Sequence, residues 1–116
     1  MYKVSEFSKM TGLSRETLRY YADIGLLEPV HIDPNNKYRY YDNGSYLVAR
    51  LLVYLRRFNF SIQEMFEVVH DESFENLEGL IREKKKALEV KVARLQGIIE
   101  DMDDFFELGI GEDMDD

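Results

Sequence analysis

The chain has 116 residues, of which 45% are hydrophobic and 33% charged, with no cysteine and a formal charge of −8. That length holds one small domain and little else, and a unit of about 70 residues is marginally stable alone, which favours an oligomer contact. Disulfides and thiolate metal sites are excluded, His31 and His70 are too distant in sequence to suggest a ligand pair, and no apolar run nears the roughly 18–20 residues that span a bilayer.

Residues 4–24 (VSEFSKMTGLSRETLRYYADI) read as helix, glycine-bearing turn, helix. The first helix runs from Val4 to Thr11, with Val4, Phe7 and Thr11 at helical spacing and Gly12 ending it in a left-handed conformation. Ser14 is a good N-cap for a second helix, Arg15 to Ile24, and Glu16 in its first turn suits the helix dipole. Gly25 stops that helix. An extended stretch, Val30 to Ile32, follows Leu26-Leu27-Glu28-Pro29. Pro34-Asn35-Asn36 then makes a turn, with Asn taking the positive φ, and the returning strand Lys37-Tyr38-Arg39-Tyr40-Tyr41 completes a hairpin.

Asp42 caps a third helix through about Phe58, along which Tyr46, Leu47, Arg50, Leu51, Tyr54 and Leu55 repeat at three and four. Asn59 stands where a left-handed residue ends a helix. Ser61-Ile62-Gln63-Glu64 matches the capping box and opens a fourth helix to about Val69. Asp71-Glu72-Ser73 breaks the pattern before a long fifth helix, Phe74 to Phe106. There Phe74, Ile81, Leu88, Leu95 and Met102 recur every seven residues, although Lys84 and Lys91 interrupt the companion positions. A cleaner stripe begins at Leu88 and continues through Val92, Leu95, Ile99, Met102 and Phe106. Nothing else in the chain is large enough to cover it, so a partner helix is expected, as in a coiled coil. Residues 109–116 (GIGEDMDD) read as an acidic tail.

The charge divides unevenly. Residues 1–69 carry nine Lys and Arg against eight Asp and Glu, while residues 70–116 carry six against fifteen. An N-terminal part so near neutrality can bind a polyanion only if its cations gather on one face. The second helix exposes Arg15, Glu16, Arg19, Tyr20 and Asp23; Arg15 and Arg19 repel at one-turn spacing. Insertion into a major groove would account for that pair, and a solvated face neutralised by Glu16 and Asp23 is the alternative. Alternation in the hairpin puts Lys37, Arg39 and Tyr41 on one side and Tyr38 and Tyr40 on the other. Such a wing can lay Arg and a Tyr hydroxyl along the phosphate backbone while at least one ring packs in the core. Arg56 and Arg57 suit a helix C-terminus on dipole grounds, and Arg56 is a candidate second backbone contact. The Lys84-Lys85-Lys86 run is expected to stay solvated. No nucleophile–base pair, phosphate-cradling Gly loop, metal cluster or cofactor site can be assembled, so neither an enzyme nor a metalloprotein is expected.

Several segments together resemble one family. Val4-Ser5-Glu6-Phe7, Thr11-Gly12-Leu13-Ser14, Thr17-Leu18-Arg19-Tyr20-Tyr21, Gly25-Leu26-Leu27-Glu28-Pro29, Tyr38-Arg39-Tyr40-Tyr41 and Phe60-Ser61-Ile62-Gln63-Glu64 resemble the N-terminal domain of MerR-family transcriptional regulators. Asp33-Pro34 looks most like the multidrug-sensing branch. The resemblance implies a mainly α fold: a winged helix-turn-helix with a small β-hairpin wing over residues 1–70, then a long antiparallel coiled-coil dimerisation helix over 71–108. It implies DNA contacts at Arg15, Arg19, Tyr20, Tyr38, Arg39 and Arg56, to which the hairpin reading adds Lys37, while the spacing along the fifth helix assigns dimerisation to Ile81, Leu88, Val92, Leu95, Ile99, Met102 and Phe106. The partners it implies are promoter DNA bearing two half-sites, a second copy of the chain, and RNA polymerase on the same promoter. Members bend and untwist promoters so that polymerase can engage both elements. A cytoplasmic location goes with this, and the start MYKVSEF lacks a signal-peptide pattern. Multidrug members carry a separate effector domain after the coiled coil. The chain is therefore either a fragment of a longer regulator or a short one whose signal comes from elsewhere. An architectural DNA-binding protein, or a protein-interaction module acting through the acidic helix, is the alternative.

Overall fold

The computed structural model describes residues 1–71 and 74–108. The elements are β1 (Tyr2–Lys3), α1 (Val4–Thr11), α2 (Arg15–Asp23), β2 (His31–Ile32), β3 (Arg39–Tyr41), α3 (Asn43–Arg57), α4 (Ile62–Val69) and α5 (Leu77–Leu108). They fall into two compact units, residues 1–75 and residue 76 onward. The expected break at Glu72-Ser73 and the acidic tail 109–116 lie outside the described residues.

Local chemistry sets most helix ends. Ser14 Oγ accepts the Thr17 N–H at 3.0 Å, Asp42 Oδ1 accepts the Ser45 N–H at 2.8 Å, and Ser61 and Glu64 close a reciprocal capping box. Gly12 (φ 82°), Gly25 (φ 79°) and Asn59 (φ 65°) take the left-handed conformation after α1, α2 and α3. The turn joining α1 to α2 is stitched by side chains. Buried Thr11 donates its hydroxyl to the Phe7 carbonyl at 2.8 Å and accepts the Leu13 N–H at 3.1 Å. Ser8 adds a bond from its hydroxyl to the Leu13 carbonyl at 2.7 Å. These bonds, with Phe7, Leu13 and Leu18 buried beneath them, fix α2 against α1.

The wing is a three-stranded antiparallel sheet of order β1-β3-β2, one strand more than the expected hairpin. Tyr2 pairs with Tyr41, Lys3 with Tyr40, and Ile32 with Arg39. Tyr41 is buried, and its ring stacks on Phe7 with centroids 4.3 Å apart and planes 5° from parallel. The expectation of at least one core tyrosine is met. The expected two-sided alternation holds only within Arg39–Tyr41, because β3 does not reach back to Lys37 and Tyr38. The tip also differs, since Lys37 rather than an Asn has positive φ, at 63°. Both Asn35 and Asn36 N–H groups donate to Asp33 Oδ1, and the Asn36 side chain accepts the Tyr38 N–H. Those bonds hold the asparagines in the body of the turn and leave Lys37 to make the reversal.

Helix α3 buries a different face from the one its large apolar residues suggest. Ser45, Ala49, Leu52 and Leu55 face inward, whereas Leu47 is 70% exposed and Tyr54 43%. Small Ser45 and Ala49 lie on the face by which α3 packs on its neighbours α1 and α4, and small side chains there suit close packing. Helix α2 stops at Asp23, one residue short of expectation, with Ile24 as its C-cap. Helix α5 starts at Leu77 rather than Phe74, where φ is 54°, and runs to Leu108 rather than Phe106. None of its side chains is buried. Its apolar stripe ranges from 37% exposed at Leu88 to 77% at Phe106.

Candidate nucleic-acid interface

An open groove of about 680 Å³ lies in the first unit, where the start of α1, the first half of α2 and the wing converge. Lys3, Val4 and Ser5 form one edge, Arg15, Glu16 and Arg19 a second, and Lys37, Tyr38 and Arg39 a third, with Leu18 and Tyr41 completing the lining. Five cations and a single acid line this groove, in a unit whose overall charge is near zero. That concentration is the electrostatic footprint expected for a polyanion.

Each cation is delivered by a specific local structure. Arg15 is the first residue of α2, set by the Ser14 cap, and Arg19 lies one turn on; both are exposed. Arg39 is half-buried on β3, two residues from the Tyr41 anchor, so the Phe7–Tyr41 stack fixes where its guanidinium emerges. Lys37 projects from the turn through its left-handed backbone. Tyr38 is 54% exposed, and the Lys3 ammonium lies 5.8 Å from its ring centroid, within cation–π range. The Tyr41 hydroxyl is buried without a hydrogen-bond partner. Burial pushes its pKa up, partly opposed by the charge of Arg39. Asp42 is held below the usual carboxylate range, first by the Ser45 N–H and then by the Ser45 hydroxyl.

Five of the seven residues singled out for DNA contact, Arg15, Arg19, Lys37, Tyr38 and Arg39, thus line one groove. Tyr20 and Arg56 do not. Tyr20 is half exposed on α2 beside the Tyr21 ring, and Arg56 is exposed in the last turn of α3. Lys3 was not singled out, because a two-residue strand has no periodicity to betray it. Its only sequence signal is a base immediately before a helix start. Among the described residues no group of three or more His, Cys, Asp or Glu could hold a metal ion, and no helix is long and apolar enough to cross a membrane.

Comparison with known proteins agrees with this architecture. Over 97 residues the chain is 29% identical to the multidrug-efflux transporter 1 regulator of Bacillus subtilis, covering 84% of this chain and 34% of that one. The chain therefore spans about a third of the length of that relative. The crystal structure of MtaN, the N-terminus of the Bacillus subtilis multidrug transporter activator, superposes with a TM-score of 0.79 at 23% identity, covering 89% of this chain and 95% of that one. HiNmlR, a MerR-family regulator lacking the sensor domain and solved bound to promoter DNA, superposes with a TM-score of 0.62 at 22% identity over 85% of this chain and 78% of its own. The profile described as "MerR HTH family regulatory protein" matches residues 2–71, and the chain belongs to that family.

Proposed function

We propose that the protein is a sequence-specific DNA-binding transcriptional regulator that docks the Arg- and Lys-lined groove on duplex DNA. The observation carrying this is the convergence of Lys3, Arg15, Arg19, Lys37 and Arg39 on one concavity with a single acid among them. Arg19 and Arg39 anchor phosphates, and Lys37 and Tyr38 extend that contact along the wing. Arg15 and exposed Tyr20, on a helix of major-groove dimensions, set register or read base edges. Arg56 makes a second, peripheral backbone contact. Residues 1–70 serve as the DNA-binding domain and residues 71–108 as the dimerisation helix.

The protein acts as a homodimer in the cytoplasm, joined through Ile81, Leu88, Val92, Leu95, Ile99, Met102 and Phe106, on a pseudo-palindromic promoter operator. Support for the dimer comes from the exposed apolar stripe of α5, a face that a lone helix of this length leaves to water. Support for the promoter comes from HiNmlR, a structural neighbour solved on promoter DNA. Two readers joined in one dimer deform the duplex they share, and that deformation controls polymerase access to the promoter.

The test is an anisotropy titration of a random duplex at low and higher salt. A log–log slope of about −0.9 per neutralised phosphate, and steep overall, supports the groove as a phosphate clamp. Flat or absent binding overturns it and favours a protein-interaction module acting through α5.

A further inference from the structure

Phosphate binding does not account for the single acid of the groove. Glu16 is exposed in the first turn of α2, where the helix dipole favours an acid. Its carboxylate has no hydrogen-bond or ion-pair partner among the described residues, although Lys3, Arg15, Arg19, Lys37 and Arg39 line the same concavity. Against phosphate such a group only repels.

The direction of Glu16 is set by what α2 buries. Leu18 and Tyr21 are the buried residues of that helix. At about 100° per residue they lie about 200° and 140° around the axis from Glu16, which therefore stands opposite the buried side, at the middle of the exposed face. Arg19 is displaced about 60° to one side and Tyr20 about 40° to the other. Given duplex DNA in the groove, as proposed above, the middle of that face goes deepest between the strands, and Arg19 on its flank lies nearer the backbone. Asp23 points in nearly the same direction, but it is two turns on, about 10 Å along the axis, and outside the groove lining.

At that depth the side chain meets base edges, and its chemistry selects among them. An ionised carboxylate only accepts hydrogen bonds. Guanine presents two acceptors, N7 and O6, and thymine presents O4 and a methyl group, so neither suits it. Adenine offers its N6 amino group but sets the N7 acceptor beside it. Cytosine offers the N4 amino donor with no acceptor alongside on the same base. We infer that Glu16 is a specificity-determining residue whose carboxylate accepts a hydrogen bond from the N4 amino group of a major-groove cytosine. Its repulsion of phosphate lowers affinity for all other sequences and so sharpens the contrast.

The test selects duplexes from a randomised pool with full-length wild type, Glu16→Ala and Glu16→Lys, and compares the enriched sequences position by position. Wild type should enrich cytosine at one position per half-site, and Glu16→Ala should show no preference there. Glu16→Lys presents donors, so it should enrich guanine on that strand, with the other positions unchanged. On the duplex that wild type selects, replacing this C·G pair by T·A should weaken wild type about tenfold and Glu16→Ala by less than about twofold in fluorescence anisotropy. On random duplex Glu16→Ala should bind more tightly than wild type. A purely dipolar role in α2 would change affinity for all sequences alike. Variants that select the wild-type sequence, cytosine included, overturn the role of Glu16 and leave DNA binding standing. Wild type that binds duplex but enriches no sequence overturns the sequence-specific reading itself.

Discussion

Replacing Tyr41 by Phe isolates the one buried side-chain polar atom left unpaired among the described residues. The ring stays on Phe7 with its 4.3 Å stack, so the apolar contact and the position of β3 are kept. Only the hydroxyl is lost. An unsatisfied buried hydroxyl costs about 1–3 kcal/mol, so the variant should gain about 1 kcal/mol at neutral pH. For a domain of this class that is about 4 °C in Tm, readable by circular dichroism at 222 nm together with the urea midpoint. A second signature follows from the raised pKa of the phenol. Above about pH 10 the unfolded chain releases this proton while the folded protein keeps it, so wild-type stability falls as pH climbs toward the folded value. The Tyr41→Phe variant has no such proton to release, and the stability gap in its favour should widen in alkali. A variant destabilised by about 1 kcal/mol, with no alkaline widening, would mean that the hydroxyl has a partner and would refute the reasoning.

Helix α3 offers a test of its buried face. Ala49→Leu should cost about 1–3 kcal/mol by overpacking, whereas Leu47→Ala, at 70% exposure, should fall within about 0.5 kcal/mol of wild type by urea denaturation. The reverse order would restore the face suggested by its large apolar residues. Because Asp42 is held below the ordinary carboxylate range, its cap stabilises the fold above that range and fades as pH falls through the lowered folded value. The advantage of wild type over Asp42→Asn in urea midpoint should therefore be larger at about pH 6 than at about pH 3. A constant difference would contradict the assignment. In DNA titrations Lys3→Ala should weaken binding uniformly across sequences and flatten the salt slope, while Lys3→Arg should keep both near wild type. An unchanged slope for Lys3→Ala would remove Lys3 from the interface.

What could be read in the sequence was what local chemistry decides. Caps at Ser14, Asp42 and Ser61, and left-handed stops at Gly12, Gly25 and Asn59, depend on bonds within a few residues, and they fell where expected. Tertiary pairing decided the rest. Nothing local marks Tyr2–Lys3 as a strand, because its partner β3 is almost forty residues away. The buried side of α3 carries the small side chains Ser45 and Ala49, which a count of large apolar residues overlooks. Lys37 takes its conformation from bonds that Asp33 and Asn36 make around it. The cations of the groove were recognisable as bases on a helix and a wing. Their meeting in one concavity, with Lys3 beside them, needed the folded chain.

The central claim is that the cations of this groove neutralise DNA phosphates. Its most direct measure is the salt dependence of duplex binding by wild type and by Arg19→Ala with Arg39→Ala. Each removed contact should lower the log–log slope by about one per protomer, with affinity falling alike on operator and random DNA. A double variant that keeps the wild-type slope and affinity would place DNA elsewhere on the molecule, or nowhere.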